Sequence, residues 1–122
     1  MKNALNWFEI PSTNFERAVA FYNNILQAEL HREVFGGTPN AFLPYDNSAE
    51  DAVGGAVVFA EHAKPSADGV MPYLNCNGCI EAVLARVEPA GGKIVMPLIH
   101  FPFGSIAAII DTEGNRIGLH SA

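Results

Sequence analysis

At 122 residues, 49% hydrophobic and 16% charged, the chain is long enough to bury a core without disulfide or metal staples, and too apolar for wholesale disorder. Its formal net charge of −6 comes without any Lys/Arg cluster, which argues against a nucleic-acid partner because binding a phosphate backbone is largely an electrostatic commitment. No segment approaches the roughly 20 apolar residues of a membrane span and MKNALNWFEI holds no secretory apolar stretch, so a cytoplasmic protein without a membrane partner is expected.

Residues 4–10 predict a strand with Phe8 and Ile10 on one side and Trp7 and Glu9 on the other. Thr13 and Glu16 have capping-box spacing, and Phe15, Ala18, Val19, Tyr22, Ile25 and Leu26 recur at threes and fours, the apolar stripe of a helix laid on a sheet. Short apolar runs at about 30–35, 40–45 and 53–59, separated by turn residues, predict three further strands. Residues 60–70 become small, polar and Pro/Gly-containing, the composition of a linker.

The order then repeats. PYLNC opens a second copy, in which Asn77 is the expected cap of a helix with the stripe Ile80, Val83, Leu84 and Val87. Gly91-Gly92 supplies a left-handed stop, and Pro89, lacking an N–H, ends the last turn early. Strands follow at about 93–98, 105–110 and 115–120, the last two joined by the turn Asp111–Asn115. The pattern is βαβββ, twice. A unit that cannot bury its own apolar face gains stability by pairing with a copy of itself, and the cleft between copies is the expected ligand site. Phe8, Ile10, Val19, Tyr22, Leu74, Leu84, Val87, Ile117 and Leu119 are the predicted core.

Cys76 and Cys79 form a CNGC sequence between a strand and a helix, where redox CxxC motifs stand. Neither a thioredoxin-like alternation of strands and helices nor two further ligands at zinc spacing accompany it, so packing is the favoured role. His31, His62 and His100 fall at a strand start, in the linker and in a loop, HFPFG, that could fold over the cleft; their spacing resembles no metal motif. No phosphate cradle, nucleophile elbow or HExxH pattern is present.

EIPSTNFERAVAFYNNIL in the first copy, YLNC and ARVEPAGGKIVMP in the second, and the closing FGSIAAIIDTEGNRIGLHS resemble the glyoxalase/bleomycin-resistance/dioxygenase group, the vicinal oxygen chelate superfamily, over nearly the whole chain. The resemblance implies an α+β fold: one domain over 1–122, with module one at about 1–60 and module two at about 70–122. The modules would form a curved mixed sheet, a half-barrel with helices outside and the cleft within. It also implies a homodimer, as in many members, and edge strands poorly guarded by lysine agree with that.

Metal-dependent members hold a divalent ion on the concave face with His and Glu side chains, one from a first and one from a last strand of each module. The resemblance puts the first-strand positions on Trp7 and Met71, and the last-strand positions on Gly118 and within Gly55-Ala56-Val57. None of these ligates through its side chain. No cofactor is therefore expected, the alternative being a divalent metal such as zinc or nickel held in a non-standard way.

Strand alternation from those positions adds Glu9, Tyr73, Asn75, Arg116 and His120 to the same face. Trp7, Met71, Tyr73, Asn75 and Arg116 are the candidate ligand-binding residues, and Glu9 and His120 the candidate acid–base pair. Each has a plainer role beside it: Trp7 and Met71 filling space a metal left, Glu9 in a salt bridge with Arg116, His120 solvated at a strand end. The expected function is metal-free binding of a small organic molecule, as in the bleomycin-resistance branch. The alternative is a lactoylglutathione-lyase-like or isomerase enzyme working through Glu9 and His120 or a non-standard metal.

Overall fold

The computed structural model describes residues 3–122. Module one runs β1 (Trp7–Pro11), α1 (Phe15–Leu26), β2 (His31–Phe35), β3 (Thr38–Phe42) and β4 (Gly54–Val58); module two runs β5 (Tyr73–Asn75), α2 (Ile80–Val87), β6 (Lys93–Phe101), β7 (Gly104–Ile110) and β8 (Arg116–Ser121). Each module forms a four-stranded mixed sheet, in the orders β1-β4-β3-β2 and β5-β8-β7-β6. First and last strands pair parallel, β1 with β4 and β5 with β8, and the other neighbours are antiparallel. In place of one continuous sheet there are thus two, each with its module's first strand at an edge.

The core lies between the sheets and the two helices. Ile10, Val19, Tyr22, Leu74, Val87, Ile117 and Leu119 are buried as predicted, whereas Phe8 and Leu84 are only half-buried against it. Cys76 is fully buried. Burial pushes its thiol up to about 11, with Cys79 adding to the rise and a backbone hydrogen bond at His120 opposing it, which makes it a poor thiolate.

Both helix starts differ from the sequence expectation. The N-cap of α1 is Asn14, whose side chain accepts the Arg17 N–H at 3.1 Å. Thr13 instead donates its N–H and hydroxyl to Glu113, and Glu16 pairs with Arg32 at 2.8 Å. The N-cap of α2 is Cys79, without a side-chain bond, because the Asn77 carboxamide accepts the Ala122 N–H at 2.7 Å. The helix ends at Val87 ahead of Pro89, and Gly91 takes φ 103° as the Gly92 N–H donates to the Val87 carbonyl at 2.9 Å. HFPFG is the end of β6 and a tight hairpin into β7 rather than a loop over the cleft.

The turn Asp111–Asn115 joins the modules. Tyr22 donates its hydroxyl to Asp111 Oδ2 at 2.6 Å, and Asp111 Oδ1 accepts the N–H groups of Glu113 and Asn115. The Asn115 side chain donates to Asp111 and to the Pro11 carbonyl, and its oxygen accepts the linker N–H of Ser66. Glu113 accepts the N–H groups of Thr13 and Asn14 and the Arg17 guanidinium at 2.7 Å, placing a carboxylate at the positive end of α1. Arg86 of α2 donates to the Ile25 carbonyl at 3.0 Å and satisfies the far end of α1.

Desolvation raises the Glu113 carboxyl, but the hydrogen bonds from Arg17, Asn14, Thr112 and Thr13 outweigh it and leave the group at about 2, against an ordinary 4.5. A depressed folded-state value stabilises the fold above the unfolded value and is lost as pH falls through the folded one. We predict that wild type exceeds Glu113→Gln in unfolding free energy by about 2 kcal/mol at neutral pH, discounting for the half-exposed Arg17. Urea titrations should show this difference shrinking as pH falls from 4.5 to about 2; a constant difference would contradict it.

Candidate functional site

The face of module one turned away from the helices is set by register. Trp7 lies opposite Gly54 and Glu9 opposite Ala56, while Ala56 in turn pairs with Phe42 and Phe42 with His31. This open face is aromatic. Trp7, 39% exposed, meets the rings of Phe42 (5.8 Å, 71°) and Tyr45 (6.3 Å, 78°) nearly at right angles, and His31 stacks on Phe42 at 6.0 Å. Tyr45 reaches the sheet from the β3–β4 connection and lies over Gly54, where a Cβ would stand 2.5 Å from the ring. Glu9 Oε1 is 3.0 Å from His62 Nε2, and Glu33 Oε1 is 2.9 Å from His31 Nε2.

Module two repeats the device. Tyr73 lies opposite Gly118 and Asn75 opposite His120. The Tyr73 ring covers Gly118, 2.5 Å from where a Cβ would stand. Each module therefore has an aromatic residue on its first strand facing a glycine on its last. Met71 lies before β5, so the residue corresponding to Trp7 is Tyr73. The reason is turn length: Trp7 precedes the start of α1 by eight residues and Tyr73 precedes that of α2 by seven, so the second turn is shorter, not longer.

Trp7, Glu9, Tyr73, Asn75, Arg116 and His120 all sit on open-face positions of their sheets. Glu9 and His120 stand on different sheets, and no hydrogen bond or ion pair joins them among the described residues. Glu9 holds His62 of the linker rather than Arg116. His120 is half-buried against the hairpin glycine Gly104, where a Cβ would come within 3.0 Å of its Nε2. His62, Phe42 and Tyr45 went unrecognised in the sequence. Alternation along β3 would have found Phe42, but Tyr45 and His62 come from irregular segments without periodicity. An open cavity of about 910 Å³ is lined from both modules by Phe8, Leu26, Leu43, Tyr45, Tyr73 and Leu74 among others, and Trp7, Glu9, Phe42 and Arg116 do not line it.

Residues 4–119 match the family model described as Glyoxalase/Bleomycin resistance protein/Dioxygenase superfamily. The chain belongs to this superfamily. Among solved structures it is similar to a glyoxalase/bleomycin resistance protein from Albidiferax ferrireducens T118, with 13% identity, TM-score 0.72, and 98% of this chain and 99% of that one covered. It is also similar to the genomically encoded fosfomycin resistance protein of Listeria monocytogenes, with 11% identity, TM-score 0.66, and 100% and 93% covered. A glyoxalase I variant from Zea mays shares 18% identity at TM-score 0.68, with 95% of this chain covering 46% of that one. At such identities the likeness is one of fold. No curated protein matches the chain.

The side chains present do not fit the metal centre of the superfamily's metal-dependent members. Trp7 faces Gly54, one residue before the expected span Gly55-Ala56-Val57, and Tyr73 faces Gly118, and aromatic rings fill the space into which a side chain at either glycine would grow. Glu9 and Glu33 are each bonded to a histidine of their own, and no three of His, Cys, Asp and Glu converge among the described residues. Such pairs fall short of the three or more ligands that a bound catalytic metal takes.

Proposed function

We propose that this protein is a metal-free small-molecule binding protein whose ligand rests on the aromatic open face around Trp7. The observation that carries the reading is the repeated pairing of an aromatic first-strand residue with a ring-covered glycine, Trp7 with Gly54 under Tyr45 and Gly118 under Tyr73. Rings held edge-to-face present flat apolar surface, with Glu9 following Trp7 on the same face of β1 for orientation, as Asn75 and Arg116 would serve beside Tyr73 on the face of module two. Met71, just outside β5, would line the cleft from its rim. The relatives described as bleomycin and fosfomycin resistance proteins make capture of a small organic molecule a natural role for the fold.

A second reading rests on the 3.0 Å contact between Glu9 and His62. A carboxylate–imidazole pair beside a ligand surface is suited to proton transfer, so a lyase or isomerase would use Glu9 with His62, whereas His120 stands on the other sheet. That enzyme requires turnover that Glu9→Gln abolishes.

The protein would act in the cytoplasm, and no helix among the described residues is long and apolar enough to cross a membrane. We further propose a homodimer. Away from Trp7 and Tyr73, Phe35, Phe101 and Phe103 are exposed, and β1 and β5 are edge strands, so a second copy would cover both liabilities. Sedimentation showing only monomer at tens of micromolar protein would contradict it.

Trp7 is the single tryptophan and reports on the site directly. Its emission should shift or quench with saturation on adding some small aromatic or apolar compounds from a screen. A screen in which no compound produces a saturable change contradicts the binding reading.

A further inference from the structure

The open face of module one joins its rings to a single sign of charge. None of its strand positions is Lys or Arg, and its charged ones are Glu9 and Glu33. Each carboxylate holds a histidine through one oxygen, leaving the other without a hydrogen bond among the described residues. The nearest cation in sequence, Arg32, points to the other side of the sheet, paired with Glu16 and 5.6 Å from the Phe15 ring centre. Module two is the reverse: Lys93, Ile110 and Arg116 align across its open face, and no strand position there is acidic.

An aromatic face attracts a cation through the negative potential above each ring, most strongly within about 6 Å of the ring centre. Trp7 offers the strongest such face, with the rings of Phe42 and Tyr45 meeting it nearly at right angles. Glu9 follows Trp7 on the same face of β1 and supplies the counter-charge. An anionic ligand would meet two carboxylates with no Lys or Arg on those strands to balance it, and a neutral one would leave one oxygen of each without a partner.

We propose that the open face of module one selects an organic cation, an ammonium or guanidinium group carried on a small molecule, with its charge against Trp7, Phe42 and Tyr45 and balanced by Glu9. This inference rests on the binding reading above and names the chemistry of the ligand.

Calorimetric titration with choline, with dimethylbutanol (its uncharged isostere, carbon replacing the ammonium nitrogen) and with benzoate tests it. Choline should saturate at one per chain and bind at least about tenfold more tightly than the isostere, the ratio expected of a cation–ring contact with a nearby carboxylate. Glu9→Gln should weaken choline about tenfold and leave the isostere unchanged, with circular dichroism confirming that the variant is folded. Trp7→Leu should weaken choline as well. Equal binding of the isostere, preference for benzoate, or an unchanged choline affinity in Glu9→Gln would overturn the inference while leaving the binding reading intact. If none of these probes and no compound of the fluorescence screen binds, the binding reading falls, and this inference with it.

Discussion

The buried carboxylate of Asp111 is the constraint on which the rest of the structure depends. A charge taken out of water must find donors or it costs several kcal/mol, and Asp111 finds them in the Tyr22 hydroxyl, the N–H groups of Glu113 and Asn115 and the Asn115 side chain. Tyr22 belongs to module one and the turn to module two, so satisfying this group fixes one module against the other. Burial pushes the Tyr22 hydroxyl well up, and the charge of Asp111 adds to the rise, keeping the hydroxyl a donor. The same turn orients strands: Asn115 binds the carbonyl of Pro11, the last residue of β1, and stands immediately before Arg116, the first residue of β8. The end carrying Glu9 and the strand carrying Arg116 and His120 are therefore held by one side chain.

The two open faces share a plan and differ in chemistry. In both, a glycine on the last strand lets a ring lie flat on the sheet, a close approach that any Cβ would block. In the proposed function, surface contact replaces point ligation. Module one then adds carboxylates with histidine partners, and module two adds Arg116 and Lys93. The superfamily supplies the scaffold, and these side chains decide what it holds.

Much of this was legible in the sequence. The repeat, the element order and the helix stripes follow from periodicity, and the alternation that set Trp7 and Glu9 apart from Phe8 and Ile10 is the one seen in β1. Long-range contacts were not legible. Thr13 and Glu16 have capping-box spacing, but Glu113 arrives from module two and takes the Thr13 N–H that the box would have used. Asn77 has the chemistry of a cap, yet the chain's last N–H claims its oxygen. His62 reads as linker because nothing local shows that the chain after β4 turns back onto Glu9. Met71 was two residues from the aligned position because counting along a turn cannot reveal its length.

In the proposed binding protein, aromatic surface takes the place of a metal centre. Elemental analysis of freshly purified protein, followed by calorimetric titration with zinc, nickel and manganese, tests it most directly. Far less than one ion per chain is expected, with no tight site for any of the three. A stoichiometric ion, rebound tightly after chelation and lost in Glu9→Gln, would contradict it.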